Sequence, residues 1–556
     1  MHRKVTSAVV ARPVDEVFDW VTTPGWWPQV SPTTLGIETA DANRPLRAGD
    51  RFREQVWIHG WRGHIDWTVE LLERSNRCVL TGVSSGEGIV SRLAGHDAVR
   101  MELTLSGDAQ QTHVTRELSY HVGIAEAVGD LLGFGEAFDA AAEITIATMV
   151  SVLENPLLRG SRPDAADESW LHEADPLADE AVRSLVSPSG DVSALERFIG
   201  SLYRGAPRSD DLPEPMRRFF EVTATLPSWT CQPRLNAASD VFLDWGILAV
   251  GAHICASLPE TYVMPRVAKL LNLTRQLDAD PTHADRRIWF TVRMCFDVLA
   301  RNGMGPRGEG LLALQRLRLI HAMVRLFVQH RLDTPQRLSK LATFALWDTE
   351  NGQPISQLEL LHTLLTFSHV VVRALEKLGA VLTPYQCESY IHLWNVAGAQ
   401  LGIRPQLLPR GAPDAARMFE TIKGRYAQAT AEARELGRAL IWFWTGLFPE
   451  KVRSEARDLM QFVIAQLLSP ETAAMNGLSD LPEFPAPAAK AVKECLDAAG
   501  RLCSGAIQDV AGARQATALI ISLLIRAKTQ TFEDQSGTFD IPQELYERWR
   551  GIPATA

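Results

Sequence analysis

The sequence predicts two fold classes in one chain: an α+β helix-grip domain at the N-terminus and a larger all-α domain behind it. Residues 1–120 consist largely of short segments in which apolar and polar residues alternate, as in half-buried strands. From about residue 190 to 530, apolar residues instead recur with the helical period of about 3.6. A length of 556 residues agrees, because it exceeds what one ordinary core accommodates.

The N-terminal elements follow the order strand, helix, several strands and a long closing helix. An early helix is predicted after Pro13, because Val17, Phe18 and Val21 recur at helical spacing, and a long helix is predicted over 136–153. Strands are predicted at 5–10, 52–58, 64–72, 77–82, 99–105 and 113–121. This order describes a curved sheet that wraps a helix and leaves an apolar cavity between them.

Three segments of this domain carry a resemblance to a known superfamily: ARPVDEVFDWVTTPGWWPQV, PLRAGDRF and THVTRELSYHV. Over roughly residues 3–154 the chain resembles the START-like polyketide cyclase/dehydrase proteins. The resemblance implies binding of a hydrophobic small molecule, and only some members are catalytic. Aromatic and histidine side chains either line such a cavity or fill the curved sheet: Trp57, His59, Trp61, His64 and Trp67.

Composition shifts set the expected boundaries between domains. Residues 1–154 form the START-like domain, and 155–185, rich in Pro, Asp and Glu and without periodicity, are predicted as a linker. The all-α domain is expected over 186–480, and a helical extension over 481–556.

Charge and cysteine usage exclude several functions. The formal net charge of −10 and the lack of a Lys/Arg-rich run argue against nucleic-acid binding. Seven dispersed cysteines without a CxxC pair argue against a zinc ribbon and favour a reducing compartment. No apolar segment suits a signal peptide or a transmembrane span, so a cytoplasmic location is expected.

Two predicted helices of the all-α region carry candidate chemistry. The first opens at Thr282 and ends near the Asn302-Gly303 pair; Arg287 and Thr291 are four residues apart on it and share a face, with Phe290 beside them. Their cation and hydroxyl are suited to hydrogen-bonding dioxygen or a polar reaction intermediate.

The second helix contains His321 within an apolar stripe, with Arg318 and Arg325 about one turn away on either side. A neutral imidazole in this setting is able to coordinate a haem iron, while the guanidinium groups pair with the propionates. Alternatively, His321 is a hydrogen-bonded core histidine and the arginines form a solvated face. Periodicity alone does not decide between these interpretations.

Six ordered blocks between about residues 225 and 450 extend the pattern. They are LPSW at 226–229, ASLPETYVMP at 256–265, RRIWFT at 286–291, RLRLIHAMVR at 316–325, WDTENGQPISQLELLHTLLTFSHVVVRALEKLG at 347–379 and WNVAGAQLGI at 394–403. Together they resemble the latex clearing protein (rubber oxygenase) family and the related oxygenases of mycophenolic acid biosynthesis. The resemblance implies a globin-like helical core holding one haem b, with His321 as the proximal iron ligand and Arg287 and Thr291 on the distal side.

The sequence departs from this family at two positions. Phe290 stands where rubber oxygenases carry a lysine before the distal threonine, and Leu271, followed by Asn272, stands where they carry a carboxylate thought to act as a base. Both changes make the expected pocket more apolar and leave the iron open above Phe290. A small hydrophobic substrate is therefore expected in place of rubber.

These residues and the resemblance together predict a haem b-dependent oxygenase that uses dioxygen, or peroxide, on a hydrophobic molecule of an unsaturated or isoprenoid-like kind. The expected site comprises Arg287 and Thr291 as catalytic residues, and His321, Arg318, Arg325 and Phe290 around the haem, with His321 on the iron. The alternative is a non-catalytic protein that binds a hydrophobic ligand or senses gas or redox state through haem.

Other motifs have simpler explanations. Gly303, Gly305 and Gly308 fit a dinucleotide fingerprint but join two helices, and Gly82-Ser84-Gly86 fits a nucleophile elbow without the required helix. Four histidines on apolar helical faces are expected in the core, with His369 also a candidate alternative axial ligand: His253, His362, His369 and His392.

Overall fold

The computed structural model describes most of the chain up to residue 479. The described residues are 2–58, 61–86, 97–120, 134–186, 198, 212–273, 281–306, 308–332 and 352–479. The expected extension over 481–556 lies outside them. The chain divides into two compact units: one comprises Met1–Gly160, Ser228–Ala238 and Leu382–His392, and the other comprises Ser161–Pro227, Ser239–Val381 and the remainder from Leu393.

The first unit contains a seven-stranded antiparallel sheet with the strand order β1-β7-β6-β5-β4-β3-β2. Its strands are β1 His2–Val10, β2 Thr34–Glu38, β3 Arg51–Ile58, β4 Trp61–Glu73, β5 Arg77–Gly86, β6 Asp97–Gly107 and β7 Thr112–Tyr120. The alternation in the sequence predicted all of these strands except β2. That strand is short and contains Gly36, so its pattern is too brief to stand out.

Three helices accompany the sheet: α1 Val14–Val21, α2 Trp27–Val30 and α3 Phe134–Glu154. Val17 and Phe18 of α1 and Ile146 and Met149 of α3 belong to the same apolar core as the inner face of the sheet. The unit is therefore a curled sheet with helices against one face, which is a helix-grip-like half-barrel as predicted.

The aromatic and histidine candidates of β3 and β4 divide between the two faces of the sheet. Trp67 is buried in the apolar core. Trp57 and His64 alternate with the buried residues of their strands, and His64 lies beside the exposed carboxylate of Asp66. His59, and the side chain of Trp61, lie outside the described residues.

The second unit is helical, and two helices are shared with the short segments of the first unit. The helices are α4 Pro176–Arg183, α5 Glu214–Thr223, α6 Gln232–Ala252, α7 Leu258–Tyr262, α8 Pro265–Leu273, α9 Pro281–Leu299, α10 Glu309–Leu332, α11 Gln357–Leu365, α12 Val371–Lys377, α13 Pro384–Gln400, α14 Ala412–Tyr426, α15 Ala431–Gly446, α16 Arg453–Leu467 and α17 Pro470–Met475. The all-α prediction is confirmed for this part of the chain. A globin-like arrangement of the helices stays a prediction.

Two helical stretches contain a π-helical turn, which the sequence did not predict. One turn, His253–Ser257, lies between α6 and α7, and the other, Thr366–Val370, lies between α11 and α12. The hydroxyls of Ser257 and Thr366 lie 3.2 Å apart, so the two turns contact each other. Such π-helical turns, which are wider than α-helical turns, are common at functional sites.

The segment predicted as a linker, 155–185, is folded. Trp170 and Leu171 are buried in a short 3-10 helix, and α4 buries Ala178 and Val182. The linker prediction was wrong here because the acidic residues that suggested solvent exposure cap helices and pair with arginines instead, as described below.

Neither glycine motif lies in the structural context of a nucleotide-binding loop or a nucleophile elbow, as expected. Gly82 and Gly86 lie in strand β5, and Gly303, Gly305 and Gly308 lie in the connection between α9 and α10. Neither arrangement supplies the strand-to-helix turn that the corresponding catalytic or nucleotide motif requires.

One helical stretch of the described chain, Gln357–Lys377, is long and apolar enough to cross a membrane by length and composition. Within it, 83% of the most apolar window is buried inside the protein, and core helices pass the same test.

The core histidines are confirmed for three positions and give the protein a built-in acid sensitivity. His253, His362 and His392 are buried, and burial lowers the pKa of His253 to about 4 and those of His362 and His392 to about 3. His392 accepts a hydrogen bond at Nε2 from the backbone N–H of Cys231, which requires an unprotonated nitrogen. His369 is only half-buried, and its pKa is also lowered, to about 4.

We expect stability to fall as pH falls from about 6.5 towards 4, because the unfolded chain then takes up protons that the folded histidines refuse. Each such histidine contributes up to about 1.4 kcal/mol per pH unit to the loss. Replacing His253 by Gln should flatten the dependence of the free energy of unfolding on pH, measured by urea titration. His113→Gln, on the exposed side of β7, is the matched control. Equal slopes in the wild type and the His253 variant would contradict this prediction.

Candidate active site

The candidate residues lie on two consecutive helices, α9 and α10, which pack against each other. Because a short connection joins them, the helices run antiparallel. Arg287 lies twelve residues before the end of α9 at Leu299, and His321 lies twelve residues after the start of α10 at Glu309. The two positions therefore lie at similar heights along the pair, and Thr291 lies about 6 Å closer to the connection.

One side of α10 is fixed by packing. Leu319, Ala322 and Met323 are buried against α4 and α5, in a cluster that includes Ala178 of α4 and Phe219 of α5. His321 is half-buried and lies about 100° to 160° around the helix from these three residues. It lies three residues after Arg318 and four before Arg325, so it shares the side of the helix on which these arginines lie.

Arg318 is held by a buried carboxylate. Its Nε and Nη2 donate to the two carboxylate oxygens of Asp175 at 2.6 and 2.9 Å, and its Nη1 donates to the carbonyl of Gln400 at 3.0 Å. Asp175 is 4% exposed and also caps the start of α4 by accepting from the backbone of Ala178. All three nitrogens of the Arg318 guanidinium therefore have protein acceptors.

The chain approaches this ion pair closely after α13. Gly402 has a φ of +89°, and a Cβ atom there would lie 2.6 Å from an Asp175 carboxylate oxygen and 2.9 Å from Nε of Arg318. Only glycine combines this backbone conformation with this space. The pair thus joins α4, α10 and the end of α13.

Arg325 has a similar partner but keeps one donor. Its Nε donates to Asp179 at 2.8 Å, and its Nη1 lies 3.5 Å from the carbonyl of Ile355. Burial raises the pKa of Asp179, although Arg325 opposes that shift. Among the described residues, the buried Nη2 of Arg325 has no hydrogen-bond partner. The Nη2 nitrogen of Arg325 is therefore available to a further anion, whereas each guanidinium nitrogen of Arg318 already has one protein acceptor.

The remaining candidate residues, Arg287, Phe290 and Thr291, lie on α9. Ile288, Val292 and Cys295 form its buried stripe, and Thr291 lies at the edge of that stripe, half-buried. Phe290 lies about 100° around the helix from Thr291, further from the stripe, and position 287 lies between the two, so the three positions share one arc of the helix. The side chain of Arg287 lies outside the described residues, but its backbone is helical, and spacing places it on the side of Thr291.

At Leu271, where the family resemblance implied a carboxylate, the structure places a carboxylate nearby that the sequence did not reveal. Leu271 is buried in α8, and the side-chain amide of the adjacent Asn272 donates to Glu435 of α15 at 2.6 Å. The two residues are 163 positions apart, so no local pattern predicts their contact. A carboxylate therefore lies next to this position, supplied by another helix.

A second buried polar cluster was also missed by sequence reasoning. Lys423 of α14 lies 2.9 Å from Glu260 of α7 and donates to Thr472 at 2.7 Å. Burial raises the pKa of Glu260, and Lys423 opposes that shift. The ring of His362 stacks on Phe419 next to this cluster, and neither ring nitrogen has a hydrogen-bond partner among the described residues. Glu260 lies within the ASLPETYVMP block, but nothing in its spacing marked it as buried.

The chemistry of these residues fits a haem. His321 keeps some accessible surface and lies one turn from Arg325, whose buried Nη2 has no acceptor within the part of the chain that the structure describes, and Thr291 lies on the neighbouring helix. Within the described residues, no group of three or more His, Cys, Asp or Glu side chains is arranged to hold a metal ion. A haem iron needs no such group, because the porphyrin supplies the remaining ligands.

We expect Arg318→Met to lower the free energy of unfolding of the helical unit by about 3 kcal/mol, because it leaves Asp175 buried without its partner. The control is Arg373→Met, in an exposed pair with Glu376, where a loss below about 1 kcal/mol is expected. Urea unfolding followed by circular dichroism measures both. Similar losses in the free energy of unfolding in the two variants would show that the Arg318–Asp175 pair contributes no more to stability than an exposed pair does.

The helical part of the chain is similar to known proteins. Residues 239–502 match the family model described as "ER-bound oxygenase mpaB/B'/Rubber oxygenase, catalytic domain". A rubber oxygenase from a Streptomyces species is 24% identical over 320 residues, which is 56% of this chain and 72% of that protein. All six candidate residues lie inside the matched range.

Solved structures similar to the two parts are distant. A latex clearing protein in the closed state covers 62% of this chain and 95% of its own, at 21% identity and a TM-score of 0.44. The Zhui aromatase/cyclase of a Streptomyces species covers 28% of this chain and 93% of its own, at 13% identity and a TM-score of 0.23. Residues 239–502, which are 264 of the 556 residues, are thus similar to the catalytic domain of the mpaB/B' and rubber oxygenases.

Proposed function

We propose that the chain is a haem b-dependent oxygenase that uses dioxygen on a hydrophobic small molecule, with His321 as the iron ligand. The position of His321 carries the proposal: it is half-buried on α10, about 100° to 160° around that helix from its packed residues, and level with Arg287 of the family block RRIWFT. Bound haem would supply an iron centre able to activate dioxygen. A globin-like arrangement of the helices and a cytoplasmic location belong to the same proposal.

The contacts suggest a distinct task for each arginine. Arg318, each of whose guanidinium nitrogens has a protein acceptor, would fix the rotation and height of α10 and so position His321. Arg325 keeps its Nη2 for a haem propionate, because that buried nitrogen has no acceptor among the described residues. Thr291 and Arg287 would offer a hydroxyl and a cation where negative charge develops on oxygen.

The substrate follows from the family and from the departures. The similar Streptomyces protein is a rubber oxygenase, and rubber is a polyisoprenoid, so an unsaturated, isoprenoid-like molecule is the proposed substrate class. Phe290 and Leu271 replace charged residues of that family with apolar ones, which favours a small, wholly hydrophobic substrate in the pocket.

The first test is the absorption spectrum of full-length protein purified from haem-replete cells. We expect a Soret band in the wild type and in His369→Ala, and its loss in His321→Ala, because the imidazole bond holds the iron. Circular dichroism checks that each variant is folded. A band that survives His321→Ala would move the ligand elsewhere. Colourless wild-type protein that takes up no haemin would end the haem proposal.

A second test separates the enzyme from the sensor. Oxygen consumption is followed with a panel of unsaturated lipids and isoprenoid hydrocarbons, and we expect at least one to be consumed by the wild type. Thr291→Val, which keeps the shape and removes the hydroxyl, should reduce turnover about tenfold or more while the Soret band stays. A stable ferrous–oxygen complex without turnover on any substrate would favour the non-catalytic alternative.

A further inference from the structure

A buried guanidinium lies at the start of α6, in the part of that helix that belongs to the first unit. Arg234 is 8% exposed and lies in the first turn of α6, which begins at Gln232. Because the side chains of a helix tilt towards its N-terminus, the guanidinium extends from this turn towards the helix start. Its Nη2 donates to the backbone carbonyl of Gln29 in α2 at 2.9 Å, so the group is enclosed within one unit.

The charge of Arg234 is not balanced by a nearby carboxylate. Among the residues that the structure describes, its buried Nε has no hydrogen-bond partner and no carboxylate forms an ion pair with it. The buried Arg318 and Arg325 of the second unit each contact a carboxylate directly. A buried cation is costly unless an anion neutralises it. Arg234 therefore combines an unused donor with an unbalanced charge.

Two side chains of α13 lie within range of this charge, and both are uncharged at neutral pH. Burial, and secondly the charge of Arg234, lower the pKa of His392 to about 3. The neutral ring of His392 accepts from the backbone N–H of Cys231, the residue before α6. Burial raises the pKa of Tyr385 to about 12, and Arg234 opposes that shift. Neither side chain supplies the negative charge that Arg234 lacks.

Two hydroxyls and a thiol beside the start of α6 contact one another only at long distances. The hydroxyls of Tyr385 and Thr148 are 3.4 Å apart, and the Thr148 hydroxyl lies 4.0 Å from Sγ of Cys231. Hydroxyl pairs in a closed network lie about 2.7–2.8 Å apart. Thr148 is buried on α3 about 100° to 160° around the helix from Ile146 and Met149, which pack on the sheet. These donors therefore lie outside the core of the sheet, and each is able to donate to a shared acceptor.

We propose that the start of α6 binds a small monocarboxylate, with Arg234 donating from Nε to a carboxylate oxygen. The backbone N–H groups of Gln232 and Arg234 lie in the first turn, so they have no acceptor within the helix, and the helix dipole favours an anion there. The hydroxyls of Tyr385 and Thr148 would donate to the same anion.

Charge balance and burial define the class of ligand. One negative charge neutralises one guanidinium, whereas doubly charged phosphate would leave an excess negative charge in a buried place. An uncharged amide of the same shape would leave Arg234 unbalanced. Because Arg234 and Thr148 are both buried, the anion is a small one. Bound there, it would join α2, α3, α6 and α13 within the first unit.

The test is thermal unfolding of the full-length chain, followed by circular dichroism, with sodium acetate or acetamide at constant ionic strength. Acetamide has the shape of acetate without its charge. We expect the unfolding midpoint to rise saturably with acetate, by about 4 °C at ten times the dissociation constant, and to stay unchanged with acetamide. Arg234→Met should weaken acetate binding at least tenfold. Arg44→Met is the matched control and should keep the wild-type response, because Arg44 of the same unit already pairs with Asp50.

Tyr385→Phe keeps the proposal testable if Arg234→Met does not fold, because it removes one hydroxyl only; acetate should bind to it about fivefold more weakly. Equal responses to acetate and acetamide would overturn the proposal, as would wild-type affinity for acetate in both variants. Tighter binding of inorganic phosphate than of acetate would refute the assignment to a monocarboxylate. Haem content and oxygen consumption do not enter these measurements, so this inference and the proposed function are tested separately.

Discussion

The buried ion pair between Arg318 and Asp175 joins three distant parts of the helical unit. Asp175 starts α4, Arg318 lies midway along α10, and the pair is closed by the carbonyl of Gln400 and the side-chain-free position of Gly402. A buried charge pair of this kind adds little net stability compared with an apolar contact, but breaking it is costly. The pair therefore acts by fixing position. It holds α10 in one rotation about its own axis, so that His321 faces one defined side of the helix.

The sequence predicted what local periodicity encodes. Six of the seven strands, the closing helix of the first unit and the helices α9 and α10 follow from spacing of apolar residues and from turn signals. The pairing of Arg318 with Asp175 does not, because the partners are 143 residues apart and Asp175 lies in an acidic, Pro-containing segment that imitates a linker. The same limit applies to Asn272 and Glu435. The position of a residue along a helix follows from the neighbouring sequence, whereas the partner of a buried charged residue can lie anywhere in the chain.

The candidate site shows the same division. Spacing placed Arg287 and Thr291 on one side of α9 and His321 between two arginines, and the backbone agrees with both. Spacing did not show that the arginines differ, although each guanidinium nitrogen of Arg318 has a protein acceptor and Nη2 of Arg325 has none among the described residues. The family resemblance identifies which residues are candidates for the site, and the contacts in the structure distinguish the role of one candidate from that of another.

The two units make opposite use of buried polarity. In the helical unit, each arginine beside His321 has a carboxylate in direct contact. In the sheet unit, the buried Glu54 accepts instead from neutral donors, the hydroxyl of Thr34 and Nε1 of Trp67. Neutral donors replace the lost solvation of a carboxylate only in part, and burial accordingly raises the pKa of Glu54. Buried charge in the helical unit thus fixes the positions of helices that are distant in sequence, whereas in the sheet unit it is held between neighbouring strands.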